Sequence, residues 1–256
     1  MDLPPPPPPP PPPPELPAPD VAPPVGWRWW HVAVAVGMFP VVGFAVRHLD
    51  IALGTPLRGG PYLIVGELAV WGCVLWWLGY VSRTRGTGSF REDFGFSLRW
   101  PGDLRSGIGT GVLAVVAQIG IGLVLVSLTH TRSASTTSVF RQLRDQGDPW
   151  FWMTLLLPII GAPIVEELVF RGLTLRAMLR QVTPRGAAIG SAALFGLFHW
   201  RIGSPIVANL ELATILGFSG YLFARVDLRY EGRLGPGMVA HATINTIATV
   251  FILLAR

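Results

Sequence analysis

Seven apolar blocks alternate with short polar connections along the chain, at residues 29–46, 62–81, 107–129, 151–165, 187–200, 205–224 and 238–254. A helix that crosses the hydrocarbon of a bilayer needs roughly 20 apolar residues, with a range of about 17–25. The first three blocks meet that length directly. The fourth meets it only if the helix continues through Glu166, Glu167 and Arg171 toward Arg180. The fifth is short and needs tilt or burial among neighbours. The pattern predicts an all-α integral membrane protein, a bundle of about seven transmembrane helices, or eight. Pro158 and Pro163 make the fourth span the one least fixed by the pattern.

Composition sharpens this reading. Half of the residues are hydrophobic and 14% are charged, against about 25% charged in a soluble domain. A chain of this length needs a charged skin to stay soluble as one domain, so that class is excluded. A disulfide framework is excluded as well, because Cys73 is the only cysteine and sits inside an apolar block. The net charge of +5 is carried by arginine without lysine, and the arginines lie between the blocks. That placement speaks of topology rather than of nucleic acid. Arg83, Arg85, Arg91, Arg99, Arg105, Arg176, Arg180, Arg185, Arg225, Arg229 and Arg233 share one side. Arg47, Arg58, Arg132, Arg141, Arg144 and Arg201 share the other. The excess predicts a cytoplasmic N-terminus and an outer C-terminus, in what is expected to be a bacterial plasma membrane.

Three regions follow from the same pattern. Residues 1–26 form a proline-rich arm, unbroken proline from Pro4 to Pro14. Such a segment settles into extended polyproline II and cannot pack a core, so it reads as a disordered spacer or as a docking site for a proline-reading domain. No basic n-region and short apolar h-region precede it, so no cleavable signal peptide is expected. Residues 27–149 hold the N-terminal transmembrane helices, and residues 150–256 hold the polar residues that invite chemistry.

Ionisable groups inside hydrocarbon cost about 2.5–3.5 kcal/mol each on insertion scales, so a chain keeps them there with partners or for a task. Three clusters qualify. In Glu166-Glu167-Leu168-Val169-Phe170-Arg171, Glu167 and Arg171 stand four apart with the acid N-terminal, the favourable order for an ion pair. Glu166 lies about 100° away around the helix and is free to face a cavity. His199 closes a small-residue apolar helix. His241 and Asn245 stand one turn apart on one face. Each cluster alone reads equally as a charged turn, a packed core histidine or a polar helix-packing pair. Depth joins the first two: at about 1.5 Å per residue, Glu166 lies ~21 Å from Arg180 and His199 ~20 Å from Arg185. His241 and Asn245 come out shallower, ~8–14 Å past Pro236, unless the Arg225–Pro236 connection dips inward. Two imidazoles, a carboxylate and a carboxamide support hydrolysis in either of two ways. They can hold Zn²⁺ with an open position for water. Alternatively, the carboxylate takes a proton from water while imidazole and carboxamide donors hold the oxyanion.

Glu-Glu-x-x-x-Arg, Phe-x-x-x-His and His-x-x-x-Asn, in that order on successive apolar helices, resemble the CPBP family. These are the CAAX-processing and bacteriocin-processing intramembrane endopeptidases, also called Abi. The resemblance runs from about Trp150 to the C-terminus and includes the Gly232–Asn245 stretch and Gly217–Tyr221. It implies an intramembrane endopeptidase acting on a membrane-associated peptide or protein, as a metalloprotease with Zn²⁺ as the candidate metal. Carried over by position, Glu166 activates water, and Glu167 and Arg171 are the assisting pair of the first motif. His199, His241 and Asn245 complete a water or metal site, whose metal ligands are Glu166, His199, His241 and Asn245.

Other intramembrane polar groups stand outside that pattern. Glu211 either lines the pocket or pairs with Arg201 or Arg225. Glu67 and Gln118 read as interhelical hydrogen-bond partners, and the Arg225–Arg233 connection as a solvated loop. Two readings compete with the protease: an immunity-type or scaffold membrane protein whose polar cluster only staples helices, and a small proton-coupled transporter. The absence of paired broken helices in repeated halves leans against the transporter.

Overall fold

The apolar blocks become helices, as they must where backbone polar groups cannot reach water. The structure, a computed structural model, describes residues 26–54, 57–131 and 138–254. The proline arm expected over residues 1–26 lies, save for Gly26, outside the described residues. Among the described residues there are nine helices and no strand. These are α1 (Trp29–Ala52), α2 (Gly59–Arg85), α3 (Phe90–Phe94), α4 (Gly102–Thr129), α5 (Ser138–Asp145), α6 (Phe151–Leu179), α7 (Pro184–Phe198), α8 (Ile206–Arg229) and α9 (Gly235–Leu254).

Six of them, α1, α2, α4, α6, α8 and α9, are long and apolar enough to cross a membrane, so the chain is an all-α, multi-pass membrane protein. The fourth block does run on past its acids, as one 29-residue helix. The fifth, α7, has 15 residues and measures only ~22 Å against ~30 Å of hydrocarbon. It is set by Thr183, whose hydroxyl accepts the Gly186 N–H, with Pro184 in the first turn. Short as it is, α7 lies along α8, and small residues let the backbones touch. A Cβ added at Gly196 would stand 2.2 Å from the Ala213 carbonyl oxygen. Gly107 and Gly111 let α4 approach α9 in the same way, with hypothetical Cβ atoms 2.7 Å from the Pro236 and Ala240 carbonyls.

Helix α6 is the hub. Every residue from Leu168 to Leu175 is buried, packed against Val74 and Leu78 of α2, Phe94 of α3 and Phe195 of α7. Its hydrogen bonding widens to π turns at Leu157–Gly161 and Leu168–Leu175, so Ala162–Glu167 is flanked by two π segments. Such bulges reorient side chains and recur at functional sites.

One end of the bundle is latched by arginines. Arg176 donates to the Gly232 carbonyl at 3.0 Å and to the Glu92 carbonyl at 3.4 Å. Arg233 forms a forked pair with buried Asp103, at 2.7 and 3.2 Å. Asp227 is buried and accepts the Gly237 N–H. The Leu234 and Gly235 N–H groups donate to the Gly95 and Ser97 carbonyls. The connection read as a solvated loop is therefore an inward tuck, and this fixes the register of α9. Gly232 sits level with Arg176. From there Glu166 is ~15 Å back along α6, while α9 starts only at Gly235 and carries His241 ~9 Å into the helix. The inward tuck, which counting from Pro236 leaves out, lets His241 reach Glu166 and Glu167 of α6.

Candidate active site

Helices α6, α7 and α9 bring the three clusters together. The Glu166 Oε2 atom stands 3.9 Å from His199 Nε2 and 3.9 Å from His241 Nε2. It is buried and has no hydrogen-bond partner among the described residues. These groups line a cavity of about 320 Å³.

Behind this front lies a second layer that fixes orientation. His241 Nδ1 is 3.0 Å from Glu167 Oε1, and the same oxygen accepts from Arg171 Nη1 at 3.1 Å. Arg171 Nη2 donates to the Gly220 carbonyl of α8 at 2.9 Å. Both charged side chains are fully buried. The guanidinium lies 4.5 Å from the Phe195 ring centroid and 5.3 Å from that of Phe223. Phe223 in turn stacks on His241. A buried pair of this kind survives because hydrogen bonds and ring faces replace the water it lost.

The partners also set the tautomers. His199 Nδ1 is 2.9 Å from the Phe195 carbonyl oxygen, which can only accept, so Nδ1 carries the hydrogen. His241 Nδ1 faces a carboxylate oxygen, so it too donates. In the neutral state both Nε2 atoms therefore present lone pairs toward Glu166. Three acceptors converge with no donor among them. What satisfies them is a water, an added proton or a cation.

Asn245 also lines the cavity. Its Nδ2 donates to the Pro158 carbonyl at 2.6 Å. That carbonyl belongs to the first π segment, which links the widened turn in α6 to the placement of the amide. The six residues Glu166, Glu167, Arg171, His199, His241 and Asn245 thus form one contiguous arrangement, the first, fourth, fifth and sixth facing the cavity and the other two behind it.

Other residues are placed differently from expectation. Glu211 does not line the cavity; its Oε1 accepts the hydroxyls of Thr129 and Thr131. Gln118 does make the interhelical bond, Nε2 to Ser219 Oγ at 2.9 Å, and lines the cavity as well. Glu67, read as a hydrogen-bonding partner, makes no hydrogen bond among the described residues and opens onto the cavity. Arg201 is a lining residue that sequence reasoning assigned to topology and to a pairing with Glu211, not to the cavity. Its position two residues past His199 was the available signal.

No group of three or more His, Cys, Asp or Glu among the described residues forms a ready metal site. The 3.9 Å separations exceed the ~3.4 Å edge of a tetrahedron with ~2.1 Å bonds. The donor chemistry nevertheless suits a cation, since ligating histidines commonly give their other N–H to a carboxylate or backbone carbonyl.

Comparison with curated proteins and with solved structures gives no match. Residues 148–247, which hold all six residues of the arrangement, match the family model described as type II CAAX prenyl endopeptidase Rce1-like. This part of the chain, α6 through most of α9, is therefore similar to the Rce1-like CAAX-type endopeptidases, consistent with a CPBP-type intramembrane protease.

Proposed function

We propose that the chain is an intramembrane endopeptidase in which Glu166 activates a water molecule against a peptide bond of a membrane-associated substrate. The observation that carries this reading is the buried, unpartnered Glu166 oxygen facing two imidazoles across a cavity. A carboxylate oxygen buried there without a hydrogen-bond partner among the described residues implies a partner that arrives.

A water between Glu166 and the two Nε2 atoms can donate one hydrogen to Glu166 and the other to an imidazole. Glu166 takes its proton as the oxygen attacks the scissile carbonyl carbon. The oxyanion meets the second amide hydrogen of Asn245, whose first is held by Pro158. Glu166 then returns the proton to the leaving amine, and the C–N bond breaks. The neutral imidazoles accept here rather than donate, so they position the water. Glu167 and Arg171 hold His241 in the tautomer that does so.

A metal-assisted variant is supported by one specific observation, the two inward Nε2 lone pairs beside an orphaned carboxylate. Glu166, His199 and His241 would hold the ion, with Asn245 adjacent. A bound divalent cation would lower the pKa of water and polarise the carbonyl.

The test is Glu166→Gln in the full chain, purified in detergent and assayed on a membrane-partitioning peptide. It keeps volume and hydrogen bonding and removes the base. Cleavage should fall by about 10²–10⁴-fold with unchanged thermal unfolding. Undiminished cleavage refutes the assignment.

A further inference from the structure

A cation lines the same cavity without an ion-pair partner among the described residues. Arg201 lines the cavity beside His199 and Glu166. No hydrogen bond or ion pair from a described residue reaches its guanidinium. Its backbone, by contrast, is held firmly. The Arg201 N–H donates to Asn209 Oδ1 at 2.8 Å, and Asn209 Nδ2 donates back to the Arg201 carbonyl at 3.0 Å. Asn209 is itself 1% exposed and also ties down the Ser204 carbonyl. The loop after α7 is thereby buttoned onto the first turn of α8. This spends a buried carboxamide on placing Arg201 rather than on packing.

Arg201 is partly buried, and at the wall of a cavity inside an apolar bundle its charge attracts an anion more strongly than it would in open water. Glu166 and Glu67 line the same cavity, yet neither forms an ion pair with it. The planar fork of arginine suits a carboxylate in particular. Its Cα lies no more than ~7.6 Å from that of His199, so a bound carboxylate would sit within a few residues of the reacting bond.

We infer that Arg201 is a specificity-determining residue that binds a carboxylate of the substrate. A peptide offers that group either as its C-terminal α-carboxylate or as an acidic side chain. This inference rests on the proposed endopeptidase reading and adds to it the class of peptide accepted.

The experiment is peptide binding to the full-length Glu166→Gln chain in lipid nanodiscs, read by fluorescence anisotropy. Three labelled, membrane-partitioning peptides are compared: one with a free C-terminus, the same peptide amidated, and the amidated peptide with one aspartate added near its end. The free acid should bind about 10- to 100-fold tighter than the amide, the range of a hydrogen bond to a charged group. Adding Arg201→Gln should close that gap, and Arg201→Lys should keep part of it. Tight binding by the aspartyl amide identifies a side-chain carboxylate as the source. Weak binding by it identifies the α-carboxylate. Equal binding of all three peptides overturns the inference. So does an Arg201→Gln variant that weakens acid and amide alike, since that marks a merely structural role. The unsubstituted chain, assayed for cleavage in parallel, separates the two ideas. A binding gap without cleavage sinks the endopeptidase reading alone, and cleavage without a gap sinks only the role of Arg201.

Discussion

Replacing Arg171 with methionine removes the cation of the buried pair while keeping an unbranched apolar stem. Glu167 is then left ionised, fully buried and without the donor at 3.1 Å, and its Oε2 already lacks a partner among the described residues. Breaking one member of a buried pair costs about 3–5 kcal/mol. The Gly220 carbonyl also loses its donor, a term of about 1–3 kcal/mol that overlaps with the first. The expected loss is therefore about 3–5 kcal/mol, a large share of a net stability of about 5–15 kcal/mol. Glu167→Gln/Arg171→Met should recover most of it, because the buried charge is gone and His241 Nδ1 still meets an acceptor. A double-mutant cycle should give a coupling of about 2–3 kcal/mol. The assay is equilibrium unfolding in mixed micelles, followed by tryptophan fluorescence. Additive single effects, or an Arg171→Met variant within ~1 kcal/mol of the parent chain, would show that the pair is not what holds α6 to α8 and α9.

Three further outcomes follow from the geometry. Gly196→Ala should cost about 1–3 kcal/mol or more and lower cleavage as well, because its Cβ meets α8 backbone and pushes away the helix that ends at His199. Thermal unfolding and peptide turnover check both. Arg176→Met should release the Gly232 tuck and let α9 slide relative to α6, lowering turnover more than peptide affinity in a kcat against KM comparison. Dialysis against a chelator, with metal content measured before and after, should abolish turnover and restore it on adding Zn²⁺ if the metal-assisted variant holds. Full activity in a metal-free sample leaves the Glu166–water route alone.

Hydropathy located the spans because the cost of exposing polar backbone to lipid is local and additive along a segment. It also flagged Glu166, Glu167, Arg171, His199, His241 and Asn245, since a charged or amide side chain at that depth is conspicuous in one dimension. The four-residue spacing of Glu167 and Arg171 foretold their ion pair for the same reason: both partners ride on one helix. What lay beyond one helix was not legible. Whether α9 carries His241 deep enough depends on Arg176 meeting a carbonyl 56 residues away, and no counting from Pro236 contains that contact. The inward direction of both Nε2 lone pairs depends on which acceptor each Nδ1 finds. The standing of Arg201 depends on Asn209 closing a loop whose residues look, in sequence, like any other turn. Glu67 and Glu211, alike as single acids in apolar blocks, part company only because one faces the cavity and the other meets two threonine hydroxyls. Composition and periodicity fix which groups lie inside the membrane; long-range packing alone decides which of them meet.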